Sequence, residues 1–326
     1  MRRVVAVASL LAAGAAAVSV FPLSASGDET GLIRADVRLV LLDVSVKNHD
    51  GAFVSGLTKD DFSVYENGRE QNIKVFTSRD LPVTMGVVVD SSGSMIPKRY
   101  DVLRAAELLL HESNPSDEVF VLNFNESLRP GLPPGVSFSS DPKLLHDALY
   151  RGRPAGKTAL YDAVIASLEQ VKKGSRDRRM VVLISDGKDN ASHHTRQDLL
   201  NQLEDSAATV YAIGLYERES DDQDPALLRK LARISGGEAY FPAELAQLPV
   251  ICHKIANDIR ERYTVGYTPA EGAAGAPSSE LRQIRLHVKG PDNSKLIARS
   301  RSSYRYDQTA DTHAAAANDN KDAKEK

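Results

Sequence analysis

Four short runs of consecutive apolar residues constrain this chain more than any other feature. They are Val83 to Val89, Val119 to Leu122, Met180 to Ile184 and Val210 to Ile213. A strand with one wet face alternates apolar and polar residues. A strand that is apolar throughout must be covered on both faces. Between the runs lie stretches with apolar residues at three- and four-residue spacing, the mark of a helix packed along one side. They fall at 97–113, 142–150, 159–172, 196–206, 225–234 and 243–262. Buried strands alternating with amphipathic helices predict an α/β fold over 81–262: a doubly wound, mostly parallel sheet with helices on both faces.

The flanks have a different pattern. Residues 33–80 contain strand signals, with Val37, Leu39, Leu41, Val44 and Val46 in a run rich in branched residues. His49-Asp50-Gly51 and Glu66-Asn67-Gly68 are turn signals, the second of hairpin type. Strand signals return at Tyr263 to Tyr267, Ile284 to Val288 and Leu296 to Ala298, with a loop-like Gly272 to Ser279 between them. The ends of a domain tend to lie close together. Residues 263–307 are therefore expected to pack with 33–80 as one small antiparallel β unit, into which the α/β part is inserted or which flanks it. The polar, alanine-rich stretch 308–326 reads as a disordered tail.

The first 26 residues read as an export signal. Arg2 and Arg3 precede an uncharged apolar stretch from Val4 to Phe21, and small residues follow at Ser24, Ala25 and Ser26. The competing reading is an uncleaved membrane anchor, and either way the folded part lies outside the cytoplasm, periplasmic or secreted. The single cysteine, Cys252, has no disulfide partner within the chain. A net charge of -3 gives no global attraction to nucleic acid.

In a doubly wound sheet, ligands bind beyond the carboxyl ends of the strands. Three segments fall there: Asp90-Ser91-Ser92-Gly93-Ser94-Met95, Gly156-Lys157-Thr158-Ala159-Leu160-Tyr161-Asp162, and Ser185-Asp186-Gly187. The candidate ligand side chains are Asp90, Ser92, Ser94, Thr158 and Asp186, all hard oxygen donors. That donor set suits Mg²⁺, or Mn²⁺ or Ca²⁺, and disfavours soft metals, since no thiolate or imidazole belongs to it. Asp-x-Ser-x-Ser lets one tight loop aim alternate side chains inward.

This constellation resembles the metal-ion-dependent adhesion site of von Willebrand factor type A domains. The resemblance runs in chain order from Val83 to Tyr263. Asp90, Ser92 and Ser94 match the family's Asp-x-Ser-x-Ser, Thr158 its threonine, and Asp186-Gly187 its Asp-Gly pair. The flanking Leu57-Thr58-Lys59-Asp60-Asp61-Phe62, Tyr65-Glu66-Asn67-Gly68 and Gln71-Asn72-Ile73 resemble an exported, acidobacterial subgroup. The resemblance implies a non-enzymatic module that binds a protein partner, with an Asp or Glu of the partner completing the coordination. It also implies that a change at the threonine couples to a shift of the helix at 243–262.

Other features have blander readings. Asp189 and Asn190 are expected to be loop hydrogen bonders, and His193 and His194 polar loop residues. Asp221, Asp222 and Asp224 read as a solvated cluster, and Cys252 as a packed core position in register with Leu248 and Ile255. Gly152 to Thr158 resembles a phosphate loop but has three residues between its glycines where that motif has four. A metal-assisted hydrolase needs a positioned general base, and none stands out. A metal-independent envelope scaffold is the remaining alternative.

Overall fold

A computed structural model of the chain describes residues 39–186, 189–216, 223–270, 279–290 and 296–307. The expected signal segment 1–26, Gly187, Asp221, Asp222, most of the 272–279 loop and the 308–326 tail lie outside the described residues.

Strand β1 (Val40–Lys47) buries Val40, Leu42, Val44 and Val46 and leaves Leu41 exposed. The apolar run thus resolves into an alternating strand, and Leu39 and Leu41, which the run included, face outward. Strands β2 (Phe62–Glu66) and β3 (Arg69–Gln71) are joined by Asn67 and Gly68. Their φ values of 47° and 79° are what a two-residue hairpin turn requires. β4 (Ile73–Thr77) follows.

β5 (Val83–Asp90) is buried at every position. A 3-10 turn, Gly93–Lys98, leads into α1 (Arg99–His111). The α-helix starts two residues later than the periodicity predicts, Pro97 and Lys98 being taken up in the 3-10 turn. Next come β6 (Glu118–Phe124), β7 (Leu128–Pro130), α2 (Pro142–Tyr150) and α3 (Leu160–Lys172). β8 (Arg178–Ser185), α4 (Arg196–Asp205), β9 (Thr209–Gly214) and α5 (Pro225–Ser235) follow. β10 (Ala239–Tyr240) and α6 (Leu248–Arg260) complete the α/β part. The expected helix over 243–262 is shorter because Pro249 must sit in its first turn, and residues 245–247 form a separate 3-10 turn.

The strand order is β10-β9-β8-β5-β6-β7, parallel except for the edge strand β7. From β5 the chain moves to β6 on one side, then crosses back to β8 on the other. The carboxyl ends of β5 and β8 therefore flank the point where winding reverses, the usual ligand crevice of such sheets.

β11 (Tyr263–Tyr267), β12 (Ser279–Val288), β13 (Ile297–Arg299) and β14 (Ser303–Asp307) join the N-terminal strands. The result is two four-stranded sheets, β13-β1-β11-β4 and β14-β12-β2-β3, where the sequence suggested one small β unit. Each sheet mixes strands from both flanks. Their shared core includes Leu42, Val44, Val64, Val265 and Tyr267. Within it Glu66 accepts hydrogen bonds from Tyr267 Oη (2.7 Å), Tyr304 Oη (2.7 Å) and Arg282 Nη1 (2.8 Å).

A buried polar network joins the β sheets to the α/β part. Asp258 of α6 accepts from Ser45 Oγ on β1, from Tyr211 Oη on β9 at 2.8 Å, and from Arg262 Nη2 at 3.3 Å. Burial opposes ionisation of Asp258, but Arg262 and the hydroxyl donors hold its carboxyl below the usual range. Arg178 on β8 pairs with Asp43 of β1 at 3.2 Å and donates to Thr264 Oγ1. Among the described residues, no helix is long and apolar enough to cross a membrane.

Candidate metal centre

Asp90 is the last residue of the central strand, so its carboxyl emerges at the crevice while remaining 1% exposed. Its Oδ1 accepts from the backbone N–H of Ser92 at 2.8 Å. Its Oδ2 accepts from Ser185 Oγ, at the end of the neighbouring β8, at 2.6 Å. Burial raises the Asp90 pKa to about 6, against the lowering effect of these hydrogen bonds; Asp186 adds a further raising charge.

The loop after Asp90 turns its serines toward Asp186. Ser92 Oγ and Ser94 Oγ are 3.1 Å apart, and Ser94 Oγ donates to Asp186 Oδ1 at 2.8 Å. Four of the five candidate ligands, Asp90, Ser92, Ser94 and Asp186, are therefore gathered around one point. Thr158 arrives from the 152–159 loop, which is pinned to the first loop by the backbone. Gly93 N donates to Gly156 O at 3.1 Å, and Ala155 N donates to Ser91 O at 2.9 Å. Gly156 has φ +73°, and a Cβ there would meet the Glu126 carboxylate at 2.7 Å. A side chain at Gly152 would strike Asn123 Oδ1 at 2.5 Å. Both glycines are thus required for the loop to lie where it does.

Thr158 is buried, its N–H donates to Asn190 Oδ1 at 2.8 Å, and its carbonyl accepts from Asn190 N and Ala191 N. Its hydroxyl makes no hydrogen bond to any described residue. An unused hydroxyl, a desolvated carboxylate and two serine hydroxyls on a second carboxylate form a donor set that fits a hard divalent cation. The chemistry is that of oxygen ligation with few formal charges, which leaves a bound cation electrophilic.

Three supporting residues were not singled out by motif spacing. Ser185 braces Asp90. Asn125 holds the threonine loop: its Nδ2 donates to Ala155 O at 2.9 Å and its carbonyl accepts from Ala159 N at 2.7 Å. The third is Lys98, whose Nζ lies 2.6 Å from Asp186 Oδ2 with both side chains nearly buried. Its position, one helical turn after Ser94, is the signal that could have revealed it. Lys98 places its ammonium beside the site, paired with one of the two carboxylates.

The blander sequence readings resolve as follows. Asp189 Oδ1 accepts from Tyr161 N at 3.1 Å, and Asn190 holds Thr158, so both are loop hydrogen bonders. His193 and His194 both donate backbone N–H groups to Asp162, and both rings lie within 3.1 Å of it. Burial would raise the Asp162 pKa, but these four contacts hold it well below the usual carboxylate range. Asp224 caps α5 by accepting from Leu227 N. Cys252 is buried in the core, and burial, with Glu112 nearby, raises its thiol pKa to about 12, so it is no nucleophile at neutral pH.

The von Willebrand factor type A domain model matches residues 85–253, more than half of the chain, and the protein belongs to that family. The doubly wound, mostly parallel sheet flanked by helices is the fold of that domain, here accompanied by two antiparallel sheets. Among solved structures, the chain is similar to a von Willebrand factor type A protein from Catenulispora acidiphila. The identity is 14%, the coverage is 83% of this chain and 74% of that one, and the TM-score is 0.49. It is also similar to proximal thread matrix protein 1 of the mussel byssus, solved with a zinc-occupied MIDAS motif. There the identity is 16% over 56% of this chain, spanning 48% of that chain, with a TM-score of 0.47. A third is the vWF domain of the type V pili tip protein Mfa5 from Porphyromonas gingivalis, at 12% identity over 55% of this chain and 95% of that one, TM-score 0.42. At these identities the likeness is one of fold alone.

Proposed function

We propose that the protein is an exported binding module that captures a protein partner through a divalent cation at the crevice above β5 and β8. One observation carries this reading. Ser92, Ser94, Asp90 and Asp186 share one hydrogen-bonded cluster at the crevice, and burial disfavours the charged form of Asp90, a cost that a bound cation would offset. Asp90, Ser92, Ser94, Thr158 and Asp186 would hold the ion directly or through water. Mg²⁺ is the preferred candidate, with Mn²⁺ or Ca²⁺ as substitutes. When bound, the cation supplies a Lewis-acidic position that a partner's Asp or Glu can occupy.

The chain's own residues do the positioning. Ser185 and the Ser92 N–H orient Asp90, Asn125 and Asn190 fix the Thr158 loop, and Lys98 orients Asp186 while limiting the site's negative charge. The N-terminal segment supports a periplasmic or secreted location, with an anchored form as the alternative, and the β-strand flanks keep the resemblance to the exported acidobacterial subgroup within this reading.

Lys98 favours a second reading, a metal-independent scaffold in which the ammonium substitutes for the ion. Pull-down from envelope extract with and without chelator separates the two. Partner capture abolished by chelator and by Thr158→Ala supports the metal-dependent module. Capture that survives both supports the scaffold.

A further inference from the structure

A cavity of about 460 Å³ lies far from the metal crevice, at the seam where α5 meets β12 and β13. Four arginines line it, Arg229, Arg233, Arg299 and Arg301, against one described acid, Glu238. That acid is already occupied. It pairs with Arg299 at 2.6 Å and with Lys47 at 2.9 Å, and it accepts from Tyr240 Oη at 3.0 Å.

The other three guanidinium groups have no ion-pair partner among the described residues. Arg229 stacks over the Phe241 ring at 4.4 Å, which occupies one face and leaves its N–H edge unused. Arg233 projects from the last turn of α5 with no hydrogen bond or ion pair of its guanidinium among the described residues, and the helix dipole accounts for that one charge at most. Arg301 donates only to carbonyls, Ser303 O at 2.9 Å and Glu204 O at 3.1 Å. Burial lowers the Arg301 pKa to about 10, a sign that its charge is poorly compensated.

The wall that holds them is rigid. Gly236 ends α5 at φ +83°, and a Cβ there would meet the Ser300 carbonyl carbon at 2.4 Å. Ser302 N donates to Ile234 O at 3.0 Å, and Arg262 Nη2 donates to Gly236 O at 2.9 Å. Small side chains, Ala232, Ala239 and Ala298, keep the space between the arginines open. Like charges gathered on a rigid concave surface repel one another, so the arrangement costs stability unless an anion compensates it.

We propose that this cavity is a binding site for a compact, multiply charged oxyanion, carried on a phosphate-bearing or a polycarboxylate small molecule. Planar guanidinium forks match either oxygen geometry, and the one resident carboxylate is already saturated by its own partners. The site is independent of the metal crevice.

The test is calorimetry on the metal-free full-length protein with inorganic pyrophosphate in one arm and citrate in the other, at constant ionic strength. The expected result is one site for at least one of the two anions, and the stronger arm identifies the ligand class. Arg233→Gln and Arg229→Gln lie on the exposed side of α5 and leave the core intact, and each should weaken binding about tenfold or more. Asp90→Asn should leave anion binding unchanged. Failure of both anions to bind at millimolar concentration overturns the proposal. So does binding that persists unchanged in the Arg229→Gln/Arg233→Gln double variant.

Discussion

Replacing Asp90 by asparagine should stabilise the metal-free protein, the opposite of what removing a core hydrogen bonder normally does. Burial is the leading cause of the rise in the Asp90 pKa from 3.8 to about 6. A shift of that size corresponds to about 3 kcal/mol against the charged form at neutral pH. Asparagine is nearly isosteric and neutral. Its carbonyl can keep the bond from Ser92 N, and its amide can donate to Ser185 Oγ, whose hydroxyl rotates to accept. The gain should therefore be about 1–3 kcal/mol after imperfect bonding is allowed for. The sign of the pH dependence follows. A raised folded pKa means that the folded state holds the proton more tightly than the unfolded chain. The contribution of Asp90 to stability is present below pH 3.8, is lost as pH rises toward about 6, and stays lost above that. Urea unfolding of the dialysed protein across pH 4 to 8 measures it, and the asparagine variant should lack this component. Saturating Mg²⁺ should then invert the order. A ligand at about 100 times its Kd adds roughly 2.7 kcal/mol to the folded state, and only the wild type retains the site. If the asparagine variant is less stable than wild type without metal at pH 7, or gains as much from Mg²⁺, the desolvated-carboxylate argument is wrong.

Other outcomes test neighbouring parts of the structure. Lys98→Met removes the ammonium 2.6 Å from Asp186, so calorimetry should show Mg²⁺ binding about tenfold tighter or more, with a lower melting temperature for the metal-free protein; unchanged affinity would remove Lys98 from the site's electrostatics. Thr158→Ala should keep the metal-free melting temperature, because its hydroxyl has no partner among the described residues, while the rise on adding Mg²⁺ shrinks; a variant that unfolds without metal would make Thr158 structural. Glu66→Leu takes the shared acceptor from two tyrosine hydroxyls and leaves Arg282 with Glu280 as its remaining carboxylate, so unfolding by urea should show a loss of about 1–3 kcal/mol. Val88→Asp places an unpaired charge in the central strand and should lower stability with and without metal, as thermal unfolding would show.

Much of the α/β part was legible in the chain because its signals are local. Val83 to Val89 needs cover on both faces wherever it sits, and Leu160, Val164, Leu168 and Val171 recur at helical spacing and are all buried. The candidate ligands were legible for the same reason: each lies at the end of a recognisable strand or start of a helix. What stayed hidden depends on partners distant in sequence. The strand β7 is fully exposed and exists only because β6 offers an unpaired edge. Glu66 reads as part of a turn signal, yet it is a buried hub for Tyr267, Tyr304 and Arg282, residues some 200 positions away. The inward face of β1 was decided by pairing with β11, since the consecutive apolar residues Leu39 to Leu42 do not by themselves say which of them face inward. Lys98 belongs to no motif, and only folding brings Asp186 to its ammonium. The arginines of the seam, at positions 229, 233, 299 and 301, form no motif at all. Sequence determined the elements and their chemistry through short-range periodicity. Tertiary structure decided which charges meet, because the energy of a charge depends on burial and on neighbours that only the folded chain supplies.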